Sequence, residues 1–271
     1  MNRALLITAR ELTEVVRDLN LLAPMVVLPT LVALIVCMAM FVTSTVETGT
    51  VSMVVGTVGA ERLPPRAVSY FLGLSDMNQA ALVSRVLKAL TMPVLWIVTV
   101  ALTATVASDS FVGEKERGTL EPLLATPISN GQLFLGKLLT AVLPAILCTW
   151  FGTAILSVGA LVADNQYFPR LLLSDPDWAT STFLLVPLMA ILSAGVAALI
   201  STRVATYRAA YQLNGLVVLP IVTMLIPQTM VLFFVTPWAL LMLSAFFGII
   251  DLGLIYTAIS FFDRERLLKG Q

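Results

Sequence analysis

Apolar positions run almost uninterrupted through residues 21–42, 87–107, 133–162 and 183–201, and then through most of 213–262. A helix that crosses the hydrocarbon of a bilayer needs about 20 predominantly apolar residues, so each of the first four runs predicts a span. The last is too long for one span even when tilted. Pro227, Gln228 and Pro237 divide it into a fifth span at 213–226 and a sixth at 238–260. The residues between these two predict a short re-entrant piece, which requires its backbone to be buried in protein.

The first 20 residues have a different pattern. At 100° per residue Leu5, Ala9, Leu12, Val16 and Leu19 fall on one side of a helix, and Arg3, Arg10, Glu14 and Arg17 on the opposite one. That predicts an amphipathic helix lying in the membrane interface, its Arg side chains suited to anionic lipid headgroups. A plain helix packed on the bundle has the same pattern and stays open. The apolar run after it is of spanning length and lacks a small-residue cleavage site, so it is expected to remain attached rather than to act as a removed signal.

Lys and Arg in the connections orient the spans. With the N-terminus inside, eleven of them (Arg3, Arg10, Arg17, Lys115, Arg117, Lys137, Arg203, Arg208, Arg264, Arg266 and Lys269) are cytoplasmic and five (Arg62, Arg66, Arg85, Lys88 and Arg170) are outside. The imbalance predicts a multi-pass protein of the cell membrane with both termini cytoplasmic. The 43–86 connection is then extracytoplasmic, and its 77–90 end is expected to be a helix leading into the second span.

The connection at 111–132 has its own local structure. Gly118 can end a helix leaving the membrane, because it accepts a left-handed backbone without steric cost. Thr119 can cap a short helix carrying Leu120, Leu123 and Leu124, with Pro122 in its first turn. Thr126-Pro127 stops that helix. Ser129 and Gln132 have capping-box spacing, and Ile128 and Leu133 staple spacing, so the third span starts here. An ordinary charged loop would also satisfy the orientation rule, but leucines displayed on a structured loop point to a docking surface.

Composition narrows the chemistry. Of 271 residues 58% are hydrophobic and 12% charged, with a mean hydropathy of +0.95, against about 25% charge in soluble domains. Sixteen Lys and Arg cancel sixteen Asp and Glu, which argues against nucleic acid as a partner. With no histidine, Ser-His-Asp, Cys-His and His-zinc chemistry are excluded, so neither a catalytic residue nor a metal ligand set is expected. Cys37 and Cys148 lie inside apolar runs and read as small buried hydrophobes. Gly131 to Lys137 satisfies the spacing G-x4-G-K, but Leu138 stands where a phosphate-binding loop needs Ser or Thr for magnesium, and no strand precedes it.

Glu114-Lys-Glu-Arg-Gly-Thr-Leu-Glu-Pro-Leu-Leu-Ala-Thr-Pro-Ile-Ser129, followed by Gly136-Lys137, resembles the signature of the ABC-2 family of ABC transporter permeases, the membrane subunits of type V exporters. The 203–220 stretch, with Ala210, Gln212 and Pro220, and the tail Phe262-Asp-Arg-Glu-Arg-Leu-Leu268 are similar to that family too. The resemblance implies an all-α membrane fold over 1–271, with a single permease domain of six spans, an N-terminal elbow helix (1–20) and a coupling helix after the second span. It implies a separate ABC ATPase subunit, in two copies, that binds ATP and Mg, and a second permease copy or homologue. On that resemblance the ATPase contact falls on Glu114, Lys115, Glu116, Arg117, Gly118, Thr119, Leu120, Glu121, Leu123, Leu124, Thr126, Pro127, Ile128 and Ser129. No cofactor is expected on this chain.

Two further groups stand out. Arg203, Tyr207, Arg208 and Tyr211, at spacings of three and four, share a helical face; they form either a second ATPase contact or a headgroup-level anchor. Asp251 is the acid within an apolar run, near the middle of the sixth span, and is expected to line a translocation path or to bond another span. The expected function is export driven by ATP on a partner chain. An ATP-independent ion-coupled transporter, and a complex that does mechanical or regulatory work, remain alternatives.

Overall fold

A computed structural model describes residues 3–45, 79–113, 116–117, 129–163, 175–201, 203–204, 206–217 and 237–261. Most of the 43–86 connection, residues 118–128, the fifth span beyond 217, the re-entrant piece and the tail from 262 lie outside them. Every element among the described residues is helical. They are α1 (Arg3–Arg17), α2 (Leu19–Thr45), α3 (Gln79–Ser108), α4 (Asn130–Ala163), α5 (Pro176–Thr180), α6 (Val186–Ser201), α7 (Tyr207–Asn214) and α8 (Pro237–Phe261), with π-turns at Asp109–Gly113 and Ser181–Leu185 and a 3-10 turn at Gly215–Val217. Among these residues five helices are long and apolar enough to span a membrane: Leu19–Phe41, Thr91–Gly113, Gly131–Val162, Pro176–Ser201 and Leu240–Ala258.

Two boundaries differ from the expectation, for local reasons. The fourth spanning helix starts at Pro176, not 183, because Asp175 caps it, accepting from the Asp177 N–H at 3.2 Å, and Pro176 occupies the first turn. Its first turn buries Trp178, which an apolar count misses among Asp175, Asp177 and Ser181. The second spanning helix runs past 107 through a π-turn to Gly113, and its polar residues there are absorbed by partners: Ser110 is buried and Asp109 pairs with Arg117 at 2.9 Å. Between α1 and α2 the chain turns at Asp18, whose carboxylate accepts from the Asn20 N–H at 2.9 Å.

The packing faces of α1 also depart from the two-sided pattern. Among residues 8–17, Thr8, Glu11 and Val15 are buried, while Ala9 and Val16 are exposed along with Arg10, Glu14 and Arg17. The helix therefore has three sides: one on the bundle, one apolar and uncovered, one charged.

Helix α4 touches α1, α2, α3 and α6, and α6 in turn packs on α3 and α8. The contacts use small residues and hydroxyls, as helices in lipid do. Thr99 of α3 and Thr149 of α4 are hydrogen-bonded at 3.0 Å, and the Ser193 hydroxyl of α6 donates to the Val100 carbonyl at 3.0 Å. At Gly152 a Cβ would lie 2.8 Å from the Cβ of Pro29, and at Gly159 it would collide with the Cys37 sulfur, so α2 and α4 approach through these two glycines. Trp96 donates to the Ser181 hydroxyl and Trp150 to the Thr182 carbonyl, each at 2.9 Å, which ties α3 and α4 to the second π-turn. The exposed apolar residues of α2 and α8, among them Leu34, Met38, Ile249 and Leu252, face outward as a lipid-bathed surface requires.

Candidate functional site

One end of the bundle gathers the elements that flank the 111–132 connection. α1 packs across the start of α4, the first π-turn ends α3, and α7 packs against α3 and that π-turn. The start of α4 is fixed by a reciprocal cap: the Gln132 N–H donates to the Ser129 hydroxyl, and the Ser129 N–H to the Gln132 side chain, both at 3.3 Å.

On the other flank, residues 116–117 continue the π-turn helically, with the Arg117 N–H donating to the Gly113 carbonyl at 2.9 Å. The Arg117 guanidinium grips both oxygens of Asp109, at 2.9 and 3.3 Å. Gly113 lies under this fork, and a Cβ there would sit 2.5 Å from the Asp109 carboxylate. The Glu116 carboxylate accepts from the Tyr207 N–H at 2.8 Å. It thereby satisfies an orphan donor in the first turn of α7, whose own Thr206 makes no side-chain cap. An acid at a helix N-terminus also meets the positive end of the macrodipole. Tyr207 and Tyr211 stack with centroids 6.2 Å apart. Burial first, then the charge of Asp109 and the presence of Tyr211, push the Tyr207 phenol above its ordinary value, so it stays neutral at physiological pH.

Behind this surface lies a buried polar cluster. The Lys137 ammonium, fully buried, donates to the Ser110 carbonyl at 2.6 Å and to its hydroxyl at 3.4 Å. It pairs with Glu11 Oε1 at 3.4 Å, while the Ser110 hydroxyl donates to Glu11 Oε2 at 2.9 Å. Phe111 places its ring 6.0 Å from the ammonium. A further bond, from the Thr8 hydroxyl to the Gly136 carbonyl at 3.2 Å, closes α1 onto α4.

A family model described as ABC-2 family transporter protein matches residues 5–249. The chain belongs to the ABC-2 transporter family. A probable ABC transporter permease protein NosY of Pseudomonas aeruginosa is 48% identical over 62 residues. That stretch is 22% of this chain and 22% of the relative, so the chain aligns with well under two thirds of that protein. The protein is thus an ABC-2 family membrane permease.

Within the permease, the residues expected to meet the ATPase divide by position. Glu116, Arg117 and Ser129 are described, all exposed at this end of the bundle. Glu114, Lys115, Gly118, Thr119, Leu120, Glu121, Leu123, Leu124, Thr126, Pro127 and Ile128 lie outside the described residues. Arg203 and Arg208 are exposed and Tyr207 is half-buried. Arg203 lies in the turn between α6 and α7 and does not share the helical face expected for it, because α6 ends at Ser201. The Glu116 bond brings α7, with Tyr207 and Arg208, to the root of the 111–132 connection. Asp251 lies on α8, apart from these elements in sequence. It belongs to the buried stripe Leu240, Ser244, Phe247, Asp251 and Ala258 of α8, and both carboxylate oxygens are buried without a hydrogen-bond partner among the described residues. Among the described residues no group of acids, Cys or His could hold a metal.

Sequence reasoning missed Glu11, Ser110 and the role of Lys137. Lys137 counts in the sequence as a cytoplasmic charge, as the end of a G-x4-G-K spacing and as part of a family motif, whereas the structure buries it completely inside the bundle. Its signal is position: a cation two turns inside an apolar helix must find a counter-charge.

Proposed function

We propose that the permease is the membrane subunit of an ATP-driven exporter. In this reading two ABC ATPase chains bind ATP and Mg and drive it together with a second permease copy or homologue. Residues 114–129 form a cytoplasmic coupling helix, α1 is the elbow at the inner membrane face, and 213–226 supplies the fifth of six spans, with both termini cytoplasmic. The observation that carries the reading is the family match over 5–249. The bond from Glu116 to α7 supports it, because it joins the two connections that would face the ATPase. ATP would favour one arrangement of the spans by binding the paired ATPases better in that state.

Co-expression of tagged permease with an ABC ATPase tests this. The ATPase is expected to co-purify, and the complex in vesicles to hydrolyse ATP faster with one member of a panel of lipids, glycans, drugs, peptides and sodium. Failure of the ATPase to associate would overturn the reading.

Asp251 belongs to the same proposal as a lining of the translocation path, since a buried, unpartnered acid in a spanning helix is costly unless used. Asp251→Asn is expected to leave assembly with the ATPase intact and to lower export by roughly ten- to a hundredfold, the loss of one charged contact of roughly 1.5–3 kcal/mol. Undiminished export would remove Asp251 from the path. Export that falls only in step with assembly would make it a structural bond.

A further inference from the structure

We propose that Glu11, Ser110 and Lys137 form a buried joint that makes α1 move as one body with both roots of the 111–132 connection, so that Glu11 and Lys137 are positioning residues for its coupling action. The joint has one residue on each of the three elements involved. Glu11 is on α1, Ser110 is in the π-turn where the chain enters the connection, and Lys137 is on α4 where it leaves. All three are buried, Lys137 completely.

Their geometry is closed. The ammonium reaches the carbonyl and hydroxyl of Ser110 and one oxygen of Glu11, and the Ser110 hydroxyl returns to the other oxygen. The π-turn matters because it widens the helix at Ser110 just where a side chain from another helix donates to its carbonyl. Separating any pair of these elements would break a buried charge-assisted hydrogen bond or the buried ion pair, which is strongly unfavourable. Apolar packing alone could slide. A directional charge cluster has one low-energy arrangement and transmits displacement.

The rest of this end is arranged around the joint in a consistent way. Thr8 to Gly136 repeats the link from α1 to α4 one turn away, and the Arg117–Asp109 fork stiffens the chain leaving the π-turn. A push on the connection would therefore reach α1 without passing along a span.

The inference rests on the coupling role proposed for residues 114–129, and its test separates the two. Glu11→Gln, Lys137→Met and, as a control that cuts a different link, Thr8→Val are compared in the permease alone and in its complex with the ATPase. In the permease alone, amide exchange of α1 is expected to speed up at least tenfold in Glu11→Gln and Lys137→Met, with α6 and α8 unchanged, and by no more than about threefold in Thr8→Val, which removes one neutral hydrogen bond. In the complex the same two variants are expected to keep the ATPase bound while the kcat of ATP hydrolysis falls at least fivefold at an unchanged KM for ATP. Should either variant fail to fold, Glu11→Asp and Lys137→Arg keep both charges and are expected to show the same changes in weaker form. Wild-type exchange of α1 in folded variants would overturn the joint, and so would loosened α1 with an unchanged kcat. An ATPase that does not associate even with wild type would overturn the coupling role, while α1 exchange still decides the joint.

Discussion

Replacing Leu123 and Leu124 together by Asp is expected to abolish retention of the ABC ATPase and the ATP-dependent activity of the complex, with the permease itself still folded in the membrane. Both leucines lie in the connection between α3 and α4, where the sequence predicts a short helix capped by Thr119 and stopped by Thr126-Pro127. On such a helix Leu120, Leu123 and Leu124 share one side. An apolar anchor of this kind fills a pocket on its partner, and anchors carry most of an interface's affinity. Each Asp would lose roughly 1.5–3 kcal/mol of apolar burial and would place a carboxylate where it has no counter-charge. With every 1.4 kcal/mol worth about tenfold, the pair of changes weakens binding by well over a hundredfold. Pull-down of tagged permease reads this directly, and an ATPase that stays bound would show that the leucines do not dock it. Glu114, Glu116 and Glu121 are expected to act differently. Rim charges set orientation and association rate, so Glu121→Gln should alter the salt dependence of assembly far more than its extent.

Five spanning helices were legible because lipid demands long apolar runs, and the start of α4 because Ser129 and Gln132 form a cap whose two bonds are local in sequence. The π-turns at Asp109–Gly113 and Ser181–Leu185 were not. An extra residue in one turn leaves no periodic mark, and both turns earn their place through contacts with distant residues: Lys137 for the first, Trp96 and Trp150 for the second. The start of the fourth spanning helix at Pro176 was hidden because its first turn is polar by composition and buried only through Trp178. Glu11 shows the same limit. A two-sided division of α1 into apolar and charged faces has no room for an acid that faces the bundle, and nothing local to Glu11 announces that Lys137 waits on α4. Family resemblance supplied Gly136-Lys137 as a motif, while only the geometry supplied its reason.

The second large effect is expected at the seam between α2 and α4. Gly152→Leu and Gly159→Leu should each destabilise the permease markedly, and Gly152→Ala measurably. At Gly152 an added Cβ would lie 2.8 Å from the Pro29 Cβ and 3.0 Å from its carbonyl oxygen. A proline ring and a backbone carbonyl cannot rotate away, so the helices must part. At Gly159 the obstacle is the Cys37 side chain, with its Cβ 3.1 Å away, and the helix around it is equally fixed. Overpacking of this kind costs typically 1–3 kcal/mol. Separation adds to that, because attraction between helices in lipid comes from close packing rather than from exclusion of water. Gly253 of α8 provides the contrast, since nothing lies within 4 Å of a Cβ built there. In a helix interior Ala is favoured over Gly by about 1 kcal/mol, so Gly253→Ala should leave the unfolding temperature unchanged or raise it. Thermal unfolding of the purified permease in detergent separates these outcomes. A Gly152→Leu protein that melts with wild type would mean that α2 and α4 do not meet at this seam, and that the close approach of Pro29 and Cys37 to α4 does not hold the first span in place.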